Sequence, residues 1–180
     1  MFVKVIRMEI KSDYLSRFVS ELREEFREEA GWETEVDERV GYIRVFYSDR
    51  YCSVKMIIVL NEYSVPVLLS VTKADKDEEI IMPESCHTCS EFCIYYDSVN
   101  ETCKRGYEEV SREFSEWERV LCETKNIRIE RVVYEEGCYL DIPHCHYYRA
   151  YKIEYRGPIT IDTIKAFNEL FDDIIALVEK

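Results

Sequence analysis

The sequence predicts an α+β fold, in which a mostly antiparallel sheet carries three main helices on one face. A cysteine-rich metal-binding loop is predicted between the fourth strand and the second helix. The order of segments is β-α-β-β-β, the cysteine-rich stretch, then α-β-β-α, and short turns between consecutive strands favour antiparallel pairing. The length of 180 residues predicts one domain over 1–180, with 74–106 as an insertion lobe.

The first two elements are predicted from a change of hydrophobic period. Residues 2–10 alternate between apolar and polar types, which predicts a half-buried strand. A helix is predicted next, with Ser12 as its N-cap and Gly31 just beyond its end. Its apolar positions repeat at helical spacing and are Leu15, Phe18, Val19, Leu22 and Phe26.

Three strands are predicted after this helix, over 35–48, 52–60 and 64–72. The middle one is apolar on both faces, which predicts a central position in the sheet. Because Pro66 cannot donate a hydrogen bond to a ladder, the third strand is expected to lie at an edge or to begin at this residue. A charged loop, 73–79, then leads to the cysteine-rich stretch.

The second half of the chain predicts a helix, a strand pair and a final helix. The first helix, from about 106 to 122, has the apolar stripe Val110, Phe114, Trp117 and Leu121. A strand follows over 127–134. Thr160 or Asp162 is expected to cap the last helix, which is more apolar than packing on one side requires. It either crosses the sheet as the main core element or also meets a second copy in a homodimer.

Four cysteines form the main candidate site: Cys86, Cys89, Cys93 and Cys103, in the pattern C-x2-C-x3-C-x9-C. Thiolates are soft ligands for zinc or iron–sulfur clusters, and a C-x2-C step lets two sulfurs converge on one ion. Connections longer than ~12–15 residues without secondary structure are uncommon in compact domains unless something holds them. The sequence therefore predicts a metal site in this loop.

Zinc is the preferred metal, and two alternatives remain open. Structural zinc sites use two closely spaced ligand pairs, whereas only Cys86 and Cys89 form such a pair here. Three close cysteines and an outlying fourth also suit a 4Fe–4S cluster. Disulfides are the third reading, expected in secreted proteins and inside hyperthermophiles.

A second candidate metal site lies before the last predicted strand. His144 and His146 are two residues apart, so in a strand both side chains face the same way. With Cys138 or Asp141 they would suit zinc or non-haem iron. The alternative is that both histidines face solvent. From Tyr147 onward the apolar residues occupy odd positions, which puts both histidines on the opposite side.

Charge and hydropathy restrict the classes of partner. The net charge of −13 disfavours broad binding to nucleic acid. No apolar run reaches the ~18 residues of a membrane span, and the start shows no signal-peptide core, so a cytoplasmic location is predicted. The 34% of charged residues, many of them glutamate and arginine, is typical of thermophiles.

Three hypotheses about function follow, and none names a substrate. The first is a protein that binds an unknown ligand or protein partner and whose cysteines hold a structural metal. The second is a redox enzyme or metalloenzyme, because iron–sulfur clusters and His-ligated ions carry such chemistry. The third is a nucleic-acid module in which bases stack on tyrosines beside cations. Its residues are Lys125, Arg128, Arg131, Arg149, Lys152 and Arg156 among Tyr134, Tyr147, Tyr148, Tyr151 and Tyr155.

Overall fold

The structure is a computed structural model that describes residues 2–80, 96–97, 102–103, 112–136 and 146–180. The helices of these residues are α1 (Phe2–Glu25), α2 (helical over 112–117), α3 (Ile161–Glu169) and α4 (Phe171–Val178). The strands are β1 (Trp32–Asp37), β2 (Tyr42–Ser48), β3 (Cys52–Leu60), β4 (Pro66–Glu79), β5 (Tyr96–Asp97), β6 (Thr102–Cys103), β7 (Arg119–Glu123), β8 (Ile127–Glu136) and β9 (His146–Tyr155).

In the described part of the chain, seven strands form one sheet in the order β1-β2-β3-β4-β9-β8-β7. Every neighbouring pair is antiparallel. β5 and β6 form a separate two-stranded hairpin. The predicted α+β class and the antiparallel pairing are therefore confirmed.

The main core lies between one face of the sheet and three helices. Leu22 of α1, Ile164 of α3 and Phe171 of α4 are buried in the same cluster as the alternating apolar residues of the strands. These strand residues include Ile43, Val45, Met56, Ile58, Leu69, Val71, Ile129 and Ile153. Because side chains alternate across a strand, Ala74 and Ala150 lie on the opposite face, in a smaller cluster with Tyr134 and Tyr148.

The prediction of a strand over 2–10 is wrong, because α1 already begins at Phe2. Consequently Ser12 lies inside the helix and is not its cap. The apolar residues Val3, Ile6 and Ile10 are also spaced by three and four, so the same residues satisfy a helical period. A short stretch of this kind fits both the strand pattern and the helix pattern, and here it forms the first turns of α1.

The single strand predicted over 35–48 is a hairpin of β1 and β2. The turn between them depends on Asp37, whose carboxylate accepts a hydrogen bond from the amide of Val40 at 3.0 Å. Gly41 then adopts a φ of 87°, and its amide donates to the carbonyl of Asp37 at 2.8 Å. Glycine adopts this left-handed conformation without the steric cost that a Cβ adds.

β4 begins at Pro66, as predicted, but it is a central strand between β3 and β9 and it continues to Glu79. The charged loop predicted over 73–79 is therefore wrong. Lys73 is in register with Val54 on one side and Tyr151 on the other. Pairing on both sides overrides the low strand propensity of charged residues, which depends strongly on context.

Two predicted helices differ from the structure at their ends. Residues 119–123, predicted as the end of a helix from 106, form β7, which makes a hairpin with β8 through the hydroxyl of Thr124. The C-terminal helix is divided at Leu170 into α3 and α4. Its predicted cap is confirmed, because Thr160 and Thr163 form a reciprocal capping box.

Candidate functional site

The four-cysteine cluster is described only at Cys103, since Cys86, Cys89 and Cys93 lie outside the described residues. Cys103 is in β6, where its backbone is paired with Tyr96 of β5. Paired residues of antiparallel strands have Cα atoms about 4.5–5.5 Å apart. Tyr96 follows Cys93 by three residues. The hairpin therefore returns the outlying cysteine to within a few residues of the third one.

Both segments that contain predicted ligands leave the same end of the large sheet. At the end of β4, Glu79 is in register with Tyr148, and the amide of Ile80 donates to the carbonyl of Tyr147 at 2.7 Å. The stretch 137–145, which contains Cys138, Asp141 and His144, lies outside the described residues. It is flanked by Glu136 and His146, which are register partners. The stems of the two segments thus lie side by side.

His146 is exposed and contacts a carboxylate at this end of the sheet. Its side chain is 54% exposed, and Nδ1 lies 2.7 Å from Oε1 of Glu79. Its ring stacks on Tyr148, with centroids 6.4 Å apart, so it lies on the face opposite Tyr147, as the alternation predicts. A carboxylate at one ring nitrogen orients the imidazole, and metal-binding histidines are commonly held in this way.

Glu136, the register partner of His146, contacts a cluster of polar side chains. Oε2 of Glu136 lies 3.1 Å from Nζ of Lys76, and Oε1 accepts a hydrogen bond from the hydroxyl of Ser48 at 2.9 Å. Ser53, which is 0% exposed, donates to Oε2 at 3.3 Å. These bonds connect side chains of β2, β3, β4 and β8 near the end of the sheet from which both segments leave. Sequence reasoning did not single out these residues.

The two cysteines whose side chains are described, Cys52 and Cys122, are free thiols. Cys122 packs against the main core. Burial, and then the charge of Asp49, raise the pKa of the Cys52 thiol, which favours the neutral form over a metal-binding thiolate. Within the described ranges, no group of three or more His, Cys, Asp or Glu side chains could hold a metal ion.

The cations proposed for nucleic-acid binding already have carboxylate partners in four cases. Arg131 pairs with Glu179 at 2.8 Å, which lowers the pKa of that carboxyl group. The other pairs are Arg149 with Glu78 and Glu113, Arg128 with Glu123 and Glu130, and Lys152 with Glu130 and Glu154. Tyr151 and Tyr155 pack against Trp117 and Phe167. This arrangement does not favour a surface on which bases stack.

A cleft of about 890 Å³ opens on the helix face of the sheet, between α2 and α4. Trp117 of α2 forms one wall, and its Nε1 donates to the carbonyl of Val132 at 2.9 Å. The guanidinium of Arg131 lies 4.8 Å from the centre of the Trp117 ring. Other lining residues are Cys52, Val54, Lys73, Tyr151, Phe171 and Asp172. This is a second candidate site, and its lining mixes aromatic and charged groups.

Comparison with known proteins finds no matching family model, no matching curated protein and no matching solved structure. Among the helices of the described residues, none combines the length and the apolar character needed to cross a bilayer. The fold and these two sites are therefore the basis on which function is inferred.

Proposed function

We propose that this chain is a metal-binding α+β protein in which the thiolates of Cys86, Cys89, Cys93 and Cys103 hold a structural zinc ion. The observation that carries the proposal is the pairing of Cys103 with Tyr96. A C-x9-C spacing alone leaves the fourth sulfur remote. The hairpin shortens this separation, because it brings the backbone of Cys103 beside a residue only three positions from Cys93.

The zinc ion would order the part of the predicted insertion lobe 74–106 that follows β4, which is 81–106, because 74–79 already belong to the sheet. Structural zinc contributes an apparent ~10–16 kcal/mol in zinc-finger peptides, which is ample for one segment. The large sheet has a core of its own, so the metal stabilises the lobe and not the whole chain. The proposal includes a cytoplasmic location, because thiols there stay reduced and available to metals. A 4Fe–4S cluster on the same four cysteines is the alternative cofactor.

A second metal centre at His144 and His146 is favoured by one specific observation, the contact between His146 and Glu79. With the carboxylate at Nδ1, the Nε2 atom of His146 is the nitrogen through which the ring would bind an ion. Cys138 or Asp141 would complete the ligands. An ion with three protein ligands and an open position is the arrangement of catalytic zinc, so this candidate is a metalloenzyme.

The homodimer through the C-terminal helix also remains a proposal. Leu177 of α4 is 70% exposed, which supplies an apolar side chain for such a contact. Leu170 precedes it by seven residues and is also exposed. The ligand or protein partner recognised by the chain is not identified by these features.

Chelation combined with limited proteolysis tests the proposed zinc site. Removing the metal is expected to make 81–106 sensitive to protease, while the circular dichroism of the sheet and helices is retained, because their core does not include the metal. Absorbance near ~400 nm before chelation would indicate an iron–sulfur cluster, since zinc protein is colourless. Restoring zinc should restore the protection. A cleavage pattern that changes neither on chelation nor on restoring zinc would contradict the proposal.

A further inference from the structure

Lys73 lies on the floor of the cleft. It lies on the central strand β4 and points to the helix face, where it lines the cavity of about 890 Å³. Its Nζ donates a hydrogen bond to the carbonyl of Asn168 at 2.6 Å and lies 5.2 Å from the centre of the Phe171 ring. Neither of these contacts is to a carboxylate. Among the described residues, the amine is therefore held in place by a carbonyl and an aromatic ring and not by a carboxylate.

The surroundings of Lys73 make its charged form less stable than it is in water. Burial lowers the pKa of Lys73, and the charge of Asp172 on α4 opposes this with a smaller effect. A desolvated lysine in a pocket is the usual form of an amine that acts as a nucleophile, because only the uncharged nitrogen has a free electron pair. Trp117, Tyr151 and Phe171 provide aromatic surface around it.

We propose that Lys73 forms a Schiff base with the carbonyl group of a small aldehyde or ketone that binds in the cleft. The nitrogen electron pair attacks the carbonyl carbon and gives a carbinolamine. The carbinolamine hydroxyl then takes a proton from solvent and leaves as water, and the nitrogen electron pair forms the carbon–nitrogen double bond of a protonated Schiff base. The step is reversible and transfers no electrons, so it needs only the carbonyl compound and a proton from water. A planar, conjugated carbonyl compound fits the aromatic walls best.

The chain contains a matched control in Lys55. Burial also lowers the pKa of this lysine, and its ammonium lies 5.5 Å from the centre of the Tyr134 ring. Lys55 alternates with Val54 and Met56 of the core, so it lies on the opposite face of the sheet, away from the cleft. The two lysines share a lowered pKa and a ring contact, and they differ in that Lys73 lines this cleft whereas Lys55 does not.

The test is reductive trapping of the full chain with one equivalent of pyridoxal, a planar aldehyde, in the presence of sodium cyanoborohydride near neutral pH. Peptide mapping by mass spectrometry locates the label, since trypsin does not cut at a modified lysine. Lys73 is expected to carry roughly tenfold more label than Lys55, the factor that about 1.4 kcal/mol of binding in the cleft supplies. Lys55→Arg should leave the total amount of label almost unchanged, whereas Lys73→Arg should reduce it to the small amount carried by the other lysines.

Equal labelling of Lys73 and Lys55 would overturn the proposal, because it would show that a lowered pKa alone decides reactivity. Label found mainly on exposed lysines such as Lys125 would overturn it as well. Circular dichroism of both arginine variants confirms that they fold. Should Lys73→Arg fail to fold, the ratio of label between Lys73 and Lys55 in the unmodified chain decides the question. The result is independent of whether metal is bound by the cysteine cluster.

Discussion

Replacement of Cys89 or Cys93 by serine is expected to release the bound metal in stoichiometric amount and to make 81–106, the part of the predicted lobe beyond β4, sensitive to protease. A serine hydroxyl lacks the soft thiolate that zinc and iron–sulfur clusters require, so each replacement removes one of four ligands. Most of the circular dichroism signal should persist, because the core between the sheet and the helices holds independently. Metal content by mass spectrometry and the proteolysis pattern are the measurements.

Cys52→Ser and Cys122→Ser are the matched controls for this experiment. Both cysteines lie in strands of the large sheet, and both are free thiols. The same chemical change at these positions should leave the metal content as it is in the unmodified chain. If Cys89→Ser and Cys93→Ser also keep their metal, or if they unfold the whole chain, the site or its role has been assigned wrongly.

Phe171→Ala is expected to lower the free energy of unfolding by about 3–5 kcal/mol, the usual cost of truncating a large aromatic ring in a core. Phe171 is 1% exposed and lies at the start of α4, where its ring packs in the main core and contacts the ammonium of Lys73 on β4. In denaturant unfolding, the midpoint concentration should fall while the m-value changes little, because the surface exposed on unfolding stays nearly the same. A much smaller loss would mean that the structure misplaces α4 on the sheet.

Leu177→Ala provides the control on the same helix. Leu177 is six residues beyond Phe171 and largely exposed, so its truncation should change the free energy of unfolding by no more than about 0.5 kcal/mol. A large loss at Leu177 measured at high protein concentration, together with a small one after dilution, would instead reveal burial against a second copy.

The parts of the fold that were predictable from sequence are those set by a local signal. β3 was predicted over 52–60 and is observed over the same residues, because an apolar run of this length between polar turn residues is typical of a strand covered on both faces. The cap at Thr160 was predictable because a hydroxyl placed just before an apolar helical stripe accepts backbone amides. Such features depend on residues close together in sequence.

The errors arise where the apolar residues fit both a helix period and a strand period, or where pairing with a strand distant in sequence determines the secondary structure. The apolar residues of 2–10 fit both a strand period and a helix period. Residues 119–123 form β7 because Arg119 and Glu123 pair with residues of β8. A run of charges predicted a loop at 73–79, whereas pairing with β3 and β9 makes it a strand. Local propensity cannot report such pairings, because the competing contacts are remote in sequence.

The candidate sites show the same limit. His146 was singled out from its spacing to His144, but its partner Glu79 lies 67 residues away and has no local signal. The cluster of Ser48, Lys76 and Glu136 depends on the register of four strands. Lys73 was read as part of a charged loop, and only the strand pairing brings it under the cleft. The cysteine cluster stays a prediction from spacing.

The most direct test of the central claim is the metal content of the chain after purification without oxygen, measured together with acid-labile sulfide. The account predicts about one zinc ion per chain, or about four iron and four sulfide if the cofactor is a cluster. A chain that is folded by circular dichroism and contains neither zinc nor iron in stoichiometric amount would contradict it.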